Sequence, residues 1–224
     1  METIVRAENL SRRLPGEVPI TLIQDASLEI GRGEFVAITG PSGSGKSSLL
    51  YLLGLLDVPT SGRLWLKGME TSTLNEDRLA ATRLSEIGFV FQSHFLLPEF
   101  SALENVVLPM RRLGRLGDAE SRDRAKELLD SLGLSDQTHK LPKQMSGGQS
   151  QRVAVARALA NDPPFVLADE PTGNLDTKAS ANVQEIMNDL AHKYDRAVAV
   201  VTHDEHFARQ ADRVITIIDG RIRS

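Results

Sequence analysis

The segment Glu34–Ser47, EFVAITGPSGSGKS, decides the fold. Glu34–Thr39 is a nearly continuous apolar run, which is typical of a strand buried on both faces of a parallel sheet. Gly40–Ser47 then matches the pattern G-x-x-x-x-G-K-[ST]. The apolar stretch Lys46–Leu56 predicts a helix. A buried strand, a glycine-rich turn and a helix in this order predict a loop that binds phosphate groups.

The residue types of this loop suit phosphate chemistry. Glycines let backbone N–H groups turn inward around phosphate oxygens, and the N-terminus of the following helix adds partial positive charge. Lys46 supplies a charge for the β- and γ-phosphates of a nucleotide, and the Ser47 hydroxyl is suited to ligate Mg²⁺. The residues expected to bind the nucleotide here are Gly40, Pro41, Ser42, Gly43, Ser44, Gly45, Lys46, Ser47 and Ser48.

An acidic pair ends a second buried strand. Phe165–Ala168 is apolar and leads directly into Asp169 and Glu170. Such a strand places the carboxylates at the C-terminal edge of a parallel sheet, where ligands bind. We expect Asp169 to be the second contact of the Mg²⁺ that Ser47 holds, through water, and Glu170 to polarise an attacking water.

A second glycine turn predicts a second anion site. In Met145–Gln149, MSGGQ, the residue Ser146 is a good N-cap, and Gly147 and Gly148 leave backbone N–H groups bare at a helix start. One nucleotide carries one set of phosphates, which the first loop already holds. We therefore expect Ser146, Gly147, Gly148 and Gln149 to contact a nucleotide that is bound to another copy of the chain.

Composition narrows the function classes. The 224 residues include 26 Lys plus Arg and 30 Asp plus Glu, giving a formal net charge of −4, and there is no Cys. Cysteine-ligated metal sites and disulfide scaffolds are excluded, and a generally basic nucleic-acid-binding protein is disfavoured. No apolar run approaches the roughly 20 residues of a membrane span. We expect a cytosolic globular chain with no nucleic-acid partner.

Alternating strands and helices predict an α/β fold with a parallel sheet. The N-terminal strands Thr3–Leu10 and Ile20–Ile30, joined by a loop over Ser11–Pro19, predict an antiparallel β subdomain. Residues 93–150 are expected to form an inserted α-helical subdomain, which prolines and glycines such as Pro109 break into short helices. Residues 1–92 and 151–224 are expected to form the β subdomain and the core.

The motifs together identify a family resemblance. The phosphate loop, MSGGQ, LADEPTGNLD at Leu167–Asp176 and VTHD at Val201–Asp204 resemble, in this order and over nearly the whole chain, an ABC-type ATPase of a transporter. The resemblance implies a P-loop, RecA-like core and ATP with Mg²⁺ as ligands. It also implies a head-to-tail dimer in which MSGGQ closes over the ATP of the opposing subunit.

The resemblance assigns further roles. Gln92 matches the Q-loop, which contacts Mg²⁺ or water and senses a membrane partner, and His203 matches the switch histidine that contacts the γ-phosphate. Asn174–Asp176 matches the D-loop at the dimer interface. The expected metal ligands are thus Ser47, Gln92 and Asp169, and the expected catalytic residues are Lys46, Glu170 and His203.

Several segments look like one branch of that family, the lipoprotein-release and macrolide-export ATPases: Leu53–Gly62, Gly88–Gln92, Leu96–Pro98, Ala102–Val106 and Ala168–Asp176. A cell-division ATPase with a related permease is the nearby alternative. The branch implies a homodimer at the cytoplasmic face of the bacterial inner membrane, whose partner is an integral membrane permease with a large extracytoplasmic domain.

The segment Ser93–Phe100 is apolar. Two interpretations are open for it: it forms part of a docking groove for the permease, or it packs in the core of the chain.

One position departs from the family pattern. Leu14 lies about where the family usually has an aromatic residue that stacks on adenine, so we expect weak discrimination between bases and modest ATP affinity.

Other classes fit less well. A chromosome-maintenance ABC ATPase would carry a coiled coil or a zinc-binding segment between Lys46 and Asp169, where this chain has no sustained heptads and no Cys. A translation-type factor would carry two ATPase cassettes. A regulatory module without hydrolysis gains no support, because Glu170 and His203 are both present.

Overall fold

The computed structural model describes residues 2–223. The strands are β1 (Thr3–Leu14), β2 (Ile20–Gly31), β3 (Phe35–Thr39), β4 (Ser61–Leu66), β5 (Met69–Glu70), β6 (Ile87–Phe91), β7 (Phe165–Asp169), β8 (Ala197–Val201), β9 (Arg213–Ile218) and β10 (Arg221–Arg223). The helices are α1 (Lys46–Leu53), α2 (Glu76–Glu86), α3 (Ala102–Leu113), α4 (Asp118–Ser131), α5 (Gly147–Leu159), α6 (Thr177–His192) and α7 (Glu205–Ala208).

The strands form two sheets. A four-stranded antiparallel sheet has the order β2-β1-β4-β5, and a six-stranded sheet has the order β10-β9-β3-β8-β7-β6. In the second sheet β9, β3, β8, β7 and β6 run parallel, and among the strands within residues 2–223 only β10 is antiparallel to its neighbour there. The predicted α/β class, with a parallel core, an antiparallel sheet and helices, is confirmed.

Three apolar clusters hold these layers together. The first lies between the antiparallel sheet, α1 and one face of the parallel sheet. The second covers the other face with side chains of α5, α6 and α7. The third joins α3, α4 and α5. Helix α5 contributes to two clusters, and the predicted boundary at residue 150 falls inside this helix. The division of the chain at residues 92/93 and 150/151 stays a prediction.

Three predictions about local structure are wrong. The loop predicted for Ser11–Pro19 begins later, because β1 continues to Leu14 by pairing with β2 as far as Ile20. Pro109 does not break its helix but lies inside α3. The hydrogen bond that a proline removes there is offset by a capping box between Ser101 and Glu104 and by the buried face of the helix.

The helix predicted for Lys46–Leu56 also ends early, at Leu53. Gly54 is its C-cap, and an added Cβ at Gly54 would lie 2.6 Å from the Phe89 ring. Helix α2 was not among the predicted elements. Within residues 2–223, none of the helices combines the length and the apolar character that crossing a membrane requires.

Candidate nucleotide site

The loop between β3 and α1 has a backbone that only glycine fits. Gly40, Gly43 and Gly45 have φ angles of 144°, 75° and 104°. A Cβ at Gly40 would lie 2.1 Å from the Ile217 carbonyl oxygen, and one at Gly45 would lie 2.5 Å from the Leu22 carbonyl oxygen. Gly45 is also the N-cap of α1 and provides no side-chain cap. The first N–H groups of α1 are therefore left for an anion.

A cleft of about 580 Å³ lies at this loop, a size that suits a small-molecule ligand. Its lining residues come from β2, the phosphate loop, the end of β7 and the β9–β10 turn: Ile20, Thr21, Leu22, Ser42, Gly43, Gly45, Lys46, Ser47, Ser48, Glu170, Asp219 and Gly220. The structure thus brings the predicted phosphate loop and Glu170 to one cavity.

Lys46 lies over the loop that precedes it. Its Nζ donates hydrogen bonds to the carbonyl oxygens of Gly40 at 2.9 Å and Pro41 at 2.8 Å. An ammonium held this way is a point charge beside the bare N–H groups of the loop, an arrangement that suits phosphate oxygens.

Ser47 and Asp169 meet across α1 and β7. The Ser47 hydroxyl donates to Asp169 Oδ1 at 3.3 Å. Burial raises the pKa of Asp169; the Glu170 charge also raises it, while the Ser47 hydrogen bond and the Lys46 charge lower it. A hydroxyl and a carboxylate oxygen at one point are the hard ligands that Mg²⁺ takes. These two residues therefore fit the predicted metal site.

The raised pKa gives a pH-dependent prediction. An acid whose pKa is higher in the folded than in the unfolded chain stabilises the fold below its unfolded pKa, and that contribution is lost as pH rises through the folded pKa. Relative to wild type, Asp169→Asn should therefore gain thermal stability as pH rises from the ordinary aspartate value of 3.8 toward neutrality. Thermal unfolding without nucleotide or Mg²⁺ measures this. Asp136→Asn, at an exposed position, is the control for the loss of a carboxylate elsewhere on the chain. An unchanged difference between Asp169→Asn and wild type across the range contradicts the prediction.

Glu170 and His203 form a second contact at the same sheet edge. His203 Nδ1 is hydrogen-bonded to Glu170 Oε2 at 2.8 Å. Glu170 has a φ of 47°, a left-handed conformation that is uncommon for a residue other than glycine. This turn directs the carboxylate into the cleft, while His203 remains largely exposed.

Gln92 lies beside the Gly173–Asn174 turn. Its Nε2 donates to Asn174 Oδ1 at 3.3 Å, and a Cβ at Gly173 would lie 2.6 Å from the same nitrogen. Among residues 2–223, no hydrogen bond joins Gln92 to Ser47 or Asp169. The assignment of Gln92 as a metal ligand stays a prediction.

Ser146 is the N-cap of α5, as predicted. Its hydroxyl accepts from the Gln149 backbone N–H at 3.2 Å, and its own N–H donates to Gln149 Oε1 at 2.9 Å. In the part of the chain that the structure describes, none of Ser146–Gln149 lines the cleft. The predicted second anion site therefore lies outside the cleft at the phosphate loop of the same chain.

Part of the cleft wall is formed by residues that the sequence did not predict to lie there. Leu14 pairs in register with Ile20 across β1 and β2, and it is the exposed Ile20 rather than Leu14 that lines the cleft. The alternation along β2 could have indicated Ile20, but Asp219 and Gly220 reach the cleft only through the folding of the C-terminal hairpin.

Known proteins are similar to this chain in sequence. A family model described as "ABC transporter" matches residues 23–173. The lipoprotein-releasing system ATP-binding protein LolD 1 of Chlorobium chlorochromatii is 51% identical over 98% of this chain and 90% of its own length. The macrolide export ATP-binding/permease protein MacB of Bartonella henselae is 47% identical, over 99% of this chain but 33% of its own length.

A solved structure is also similar to this chain. The ATP-binding cassette MJ0796, described as a dimer in a post-hydrolysis state bound to ADP and Pi, superposes with a TM-score of 0.92 at 42% identity, covering 99% of this chain and 97% of the other. The sequence match spans the phosphate loop, MSGGQ and the acidic strand end, and the structural match spans both sheets and the helices between them. The chain belongs to the ABC transporter family.

Proposed function

We propose that the chain is the ATP-hydrolysing subunit of a transporter: two copies close around two Mg·ATP and drive a conformational change in a membrane permease. The observation that carries the proposal is the meeting of Lys46, the Ser47–Asp169 pair and the Glu170–His203 pair at the C-terminal edge of one sheet. The LolD and MacB relatives favour lipoprotein release or efflux, with a cell-division-type partner as the alternative, and a peripheral position at the cytoplasmic face of the inner membrane.

The residues divide the chemistry among them. Lys46 exchanges its contacts with Gly40 and Pro41 for phosphate oxygens, and Ser47 and Asp169 hold Mg²⁺. Bound Mg²⁺ neutralises phosphate charge. Glu170 orients the attacking water and accepts its proton. His203, when both ring nitrogens are protonated, donates through Nδ1 to this carboxylate and through its other nitrogen to the γ-phosphate.

Dimerisation completes the site. Ser146–Gln149 is a capped helix start whose first N–H groups suit an anion. The position of these residues outside their own cleft supports a role at the nucleotide of the second copy. A cassette with 42% identity that is described as dimeric supports the same arrangement.

The permease contact is assigned to the surface after Gln92. Phe95 is 62% exposed and lies edge-on to Phe91, with ring centroids 5.3 Å apart. Phe91 lines a neighbouring groove of about 370 Å³ between β6 and α3. Leu96, in contrast, packs against the core of α3, α4 and α5. Both interpretations of Ser93–Phe100 thus find support, the docking surface at Phe95 and the core packing at Leu96.

Phe95→Asp should lower permease-stimulated phosphate release about tenfold. Docking of an apolar permease surface at this position would remove water from the new carboxylate, which is unfavourable and weakens the contact. ATP affinity of the isolated subunit should be retained. The measurement is phosphate release with and without the permease in membranes. Val18→Asp, at an exposed apolar position of the β1–β2 loop, is the control. Full stimulation in Phe95→Asp contradicts this docking surface.

The aliphatic Ile20 in the cleft wall, paired across the strands with Leu14 instead of an aromatic residue, predicts weak base selection. An aromatic stack contributes about 0.5–1.5 kcal/mol beyond burial, so Leu14→Tyr should tighten ATP binding about two- to tenfold. Wild type should accept GTP within about tenfold of ATP. Titration of both nucleotides measures this, with Val18→Tyr as the control. Strong rejection of GTP by wild type, or an unchanged ATP affinity in Leu14→Tyr, contradicts the prediction.

Phosphate release from Mg·ATP tests the function itself. The wild-type chain, assayed alone and with its permease, should release phosphate in amounts that increase with time and enzyme concentration. If the amount of phosphate does not increase with time in either condition while ATP still binds, the chain is instead a regulatory module that binds ATP without hydrolysing it.

A further inference from the structure

Gln151 joins the second anion site to the acidic strand end. It lies on α5, two positions after Gln149, and its side chain is fully buried. Its Nε2 donates a hydrogen bond of 2.7 Å to the Pro171 carbonyl oxygen. A short hydrogen bond between buried groups fixes both partners closely. The helix that begins at Ser146 is therefore anchored directly to the residue that follows Glu170.

The anchored turn is the one that aims Glu170. The left-handed backbone of Glu170 is held by its N–H, which donates to the Val201 carbonyl at 2.9 Å, and by its carbonyl, which accepts from the Gly173 N–H at 3.1 Å. Gln151 supplies a third tie, from the side of α5. A displacement of α5 is thus transmitted to the peptide unit next to Glu170.

The chemistry of Gln151 favours a donor role over packing. Gln151 Oε1 is buried and has no hydrogen-bond partner among the described residues, which is unfavourable for a polar atom. An apolar side chain would fill this space without that cost. The amide is therefore useful at this position for its N–H donor to Pro171.

We propose that Gln151 is a positioning residue that couples the two nucleotide sites of the dimer. When Ser146–Gln149 engages the nucleotide of the second copy, α5 and Gln151 set the Glu170 turn for hydrolysis of the chain's own nucleotide. The proposal rests on the proposed function. It predicts that phosphate release depends cooperatively on ATP concentration, because each site is completed by occupation of the other.

The test compares three variants of the full chain. Gln151→Met keeps length and burial but has no donor. Gln151→Glu has a donor only when its carboxyl is protonated. Asn161→Leu is the matched control, because Asn161 donates from its amide to the carbonyls of Leu84 and Pro109 just beyond the other end of α5. The measurements are kcat, KM and the Hill coefficient for phosphate release, with ATP affinity and thermal unfolding alongside.

Wild type should show a Hill coefficient above 1. Gln151→Met should lose about tenfold or more in kcat and shift toward a Hill coefficient of about 1, with ATP affinity retained, because a displaced catalytic group costs rate rather than binding. Asn161→Leu should keep the wild-type Hill coefficient. The activity of Gln151→Glu, divided by that of wild type at each pH, should rise as pH falls and the donor returns.

Three results would overturn the coupling: a wild-type Hill coefficient of 1, wild-type kcat and Hill coefficient in Gln151→Met, or a flat pH ratio in Gln151→Glu. If Gln151→Met fails to fold, the pH dependence of the Gln151→Glu activity ratio tests the coupling by itself. A wild-type chain that binds ATP without releasing phosphate, even with its permease, contradicts the proposed function and is distinguished from these outcomes by the wild-type assay alone.

Discussion

Glu170→Gln is expected to lower phosphate release by about 10²–10⁴-fold while ATP still binds, because the amide cannot accept a proton from the attacking water. The substitution keeps the shape of the side chain and retains an oxygen that can accept a hydrogen bond from His203, whose Nδ1 lies 2.8 Å from the carboxylate in wild type. The loss should therefore appear in kcat rather than in ATP affinity.

Phosphate release under saturating Mg·ATP, with the permease present, measures this effect. Glu205→Gln is the matched control, since Glu205 is an exposed carboxylate near the same sheet edge and pairs only with Arg209 among the described residues. The control should retain wild-type release. Retention of activity within about tenfold in Glu170→Gln would exclude the assigned role of Glu170.

Lys46→Ala is expected to weaken ATP binding about 10- to 100-fold. The variant removes charge-assisted hydrogen bonds to phosphate oxygens, each contributing about 1.5–3 kcal/mol. Phosphate release at low ATP concentration should fall by at least the same factor as the ATP affinity.

Nucleotide titration by calorimetry measures the affinity of Lys46→Ala. Lys67→Ala, which removes an ammonium that pairs with Glu86 and does not line the cleft, is the control and should bind ATP as wild type does. If Lys46→Ala binds ATP as tightly as wild type, the cleft beside α1 is not the phosphate site.

Much of the site was predictable because local sequence dictates it. Gly40 and Gly45 occupy positions where a Cβ would collide with backbone oxygens, so a glycine pattern there marks the loop conformation directly. Asp169 ends a strand with no polar residue before it, and a buried parallel strand brings its last residue to the ligand-binding edge of the sheet.

Other features depend on contacts that no local pattern records. Helix α2 has few apolar positions, and only Leu79 and Thr82 are buried on it, so periodicity gave no signal. Pro109 is accommodated by the packing of α3 rather than by its own sequence context. Ile20 was assigned to a strand, but its place in the cleft wall follows from the way β2 packs beside the phosphate loop.

The contact of Gln151 is the feature that the sequence indicates least. A glutamine inside a helix is ordinary in sequence, and its partner Pro171 is twenty positions away. Only the fold shows that this amide ties the start of α5 to the turn that carries Glu170. The same holds for Gln92, whose contact with Asn174 crosses from β6 to the segment after β7.

The molar mass of Glu170→Gln in solution decides whether two chains close around two ATP molecules. Light scattering without nucleotide should give about one chain mass, 24.5 kDa. With saturating Mg·ATP, we expect twice that mass, and with Mg·ADP a return to one chain mass. A protein that binds ATP yet stays at one chain mass would exclude the proposed dimer.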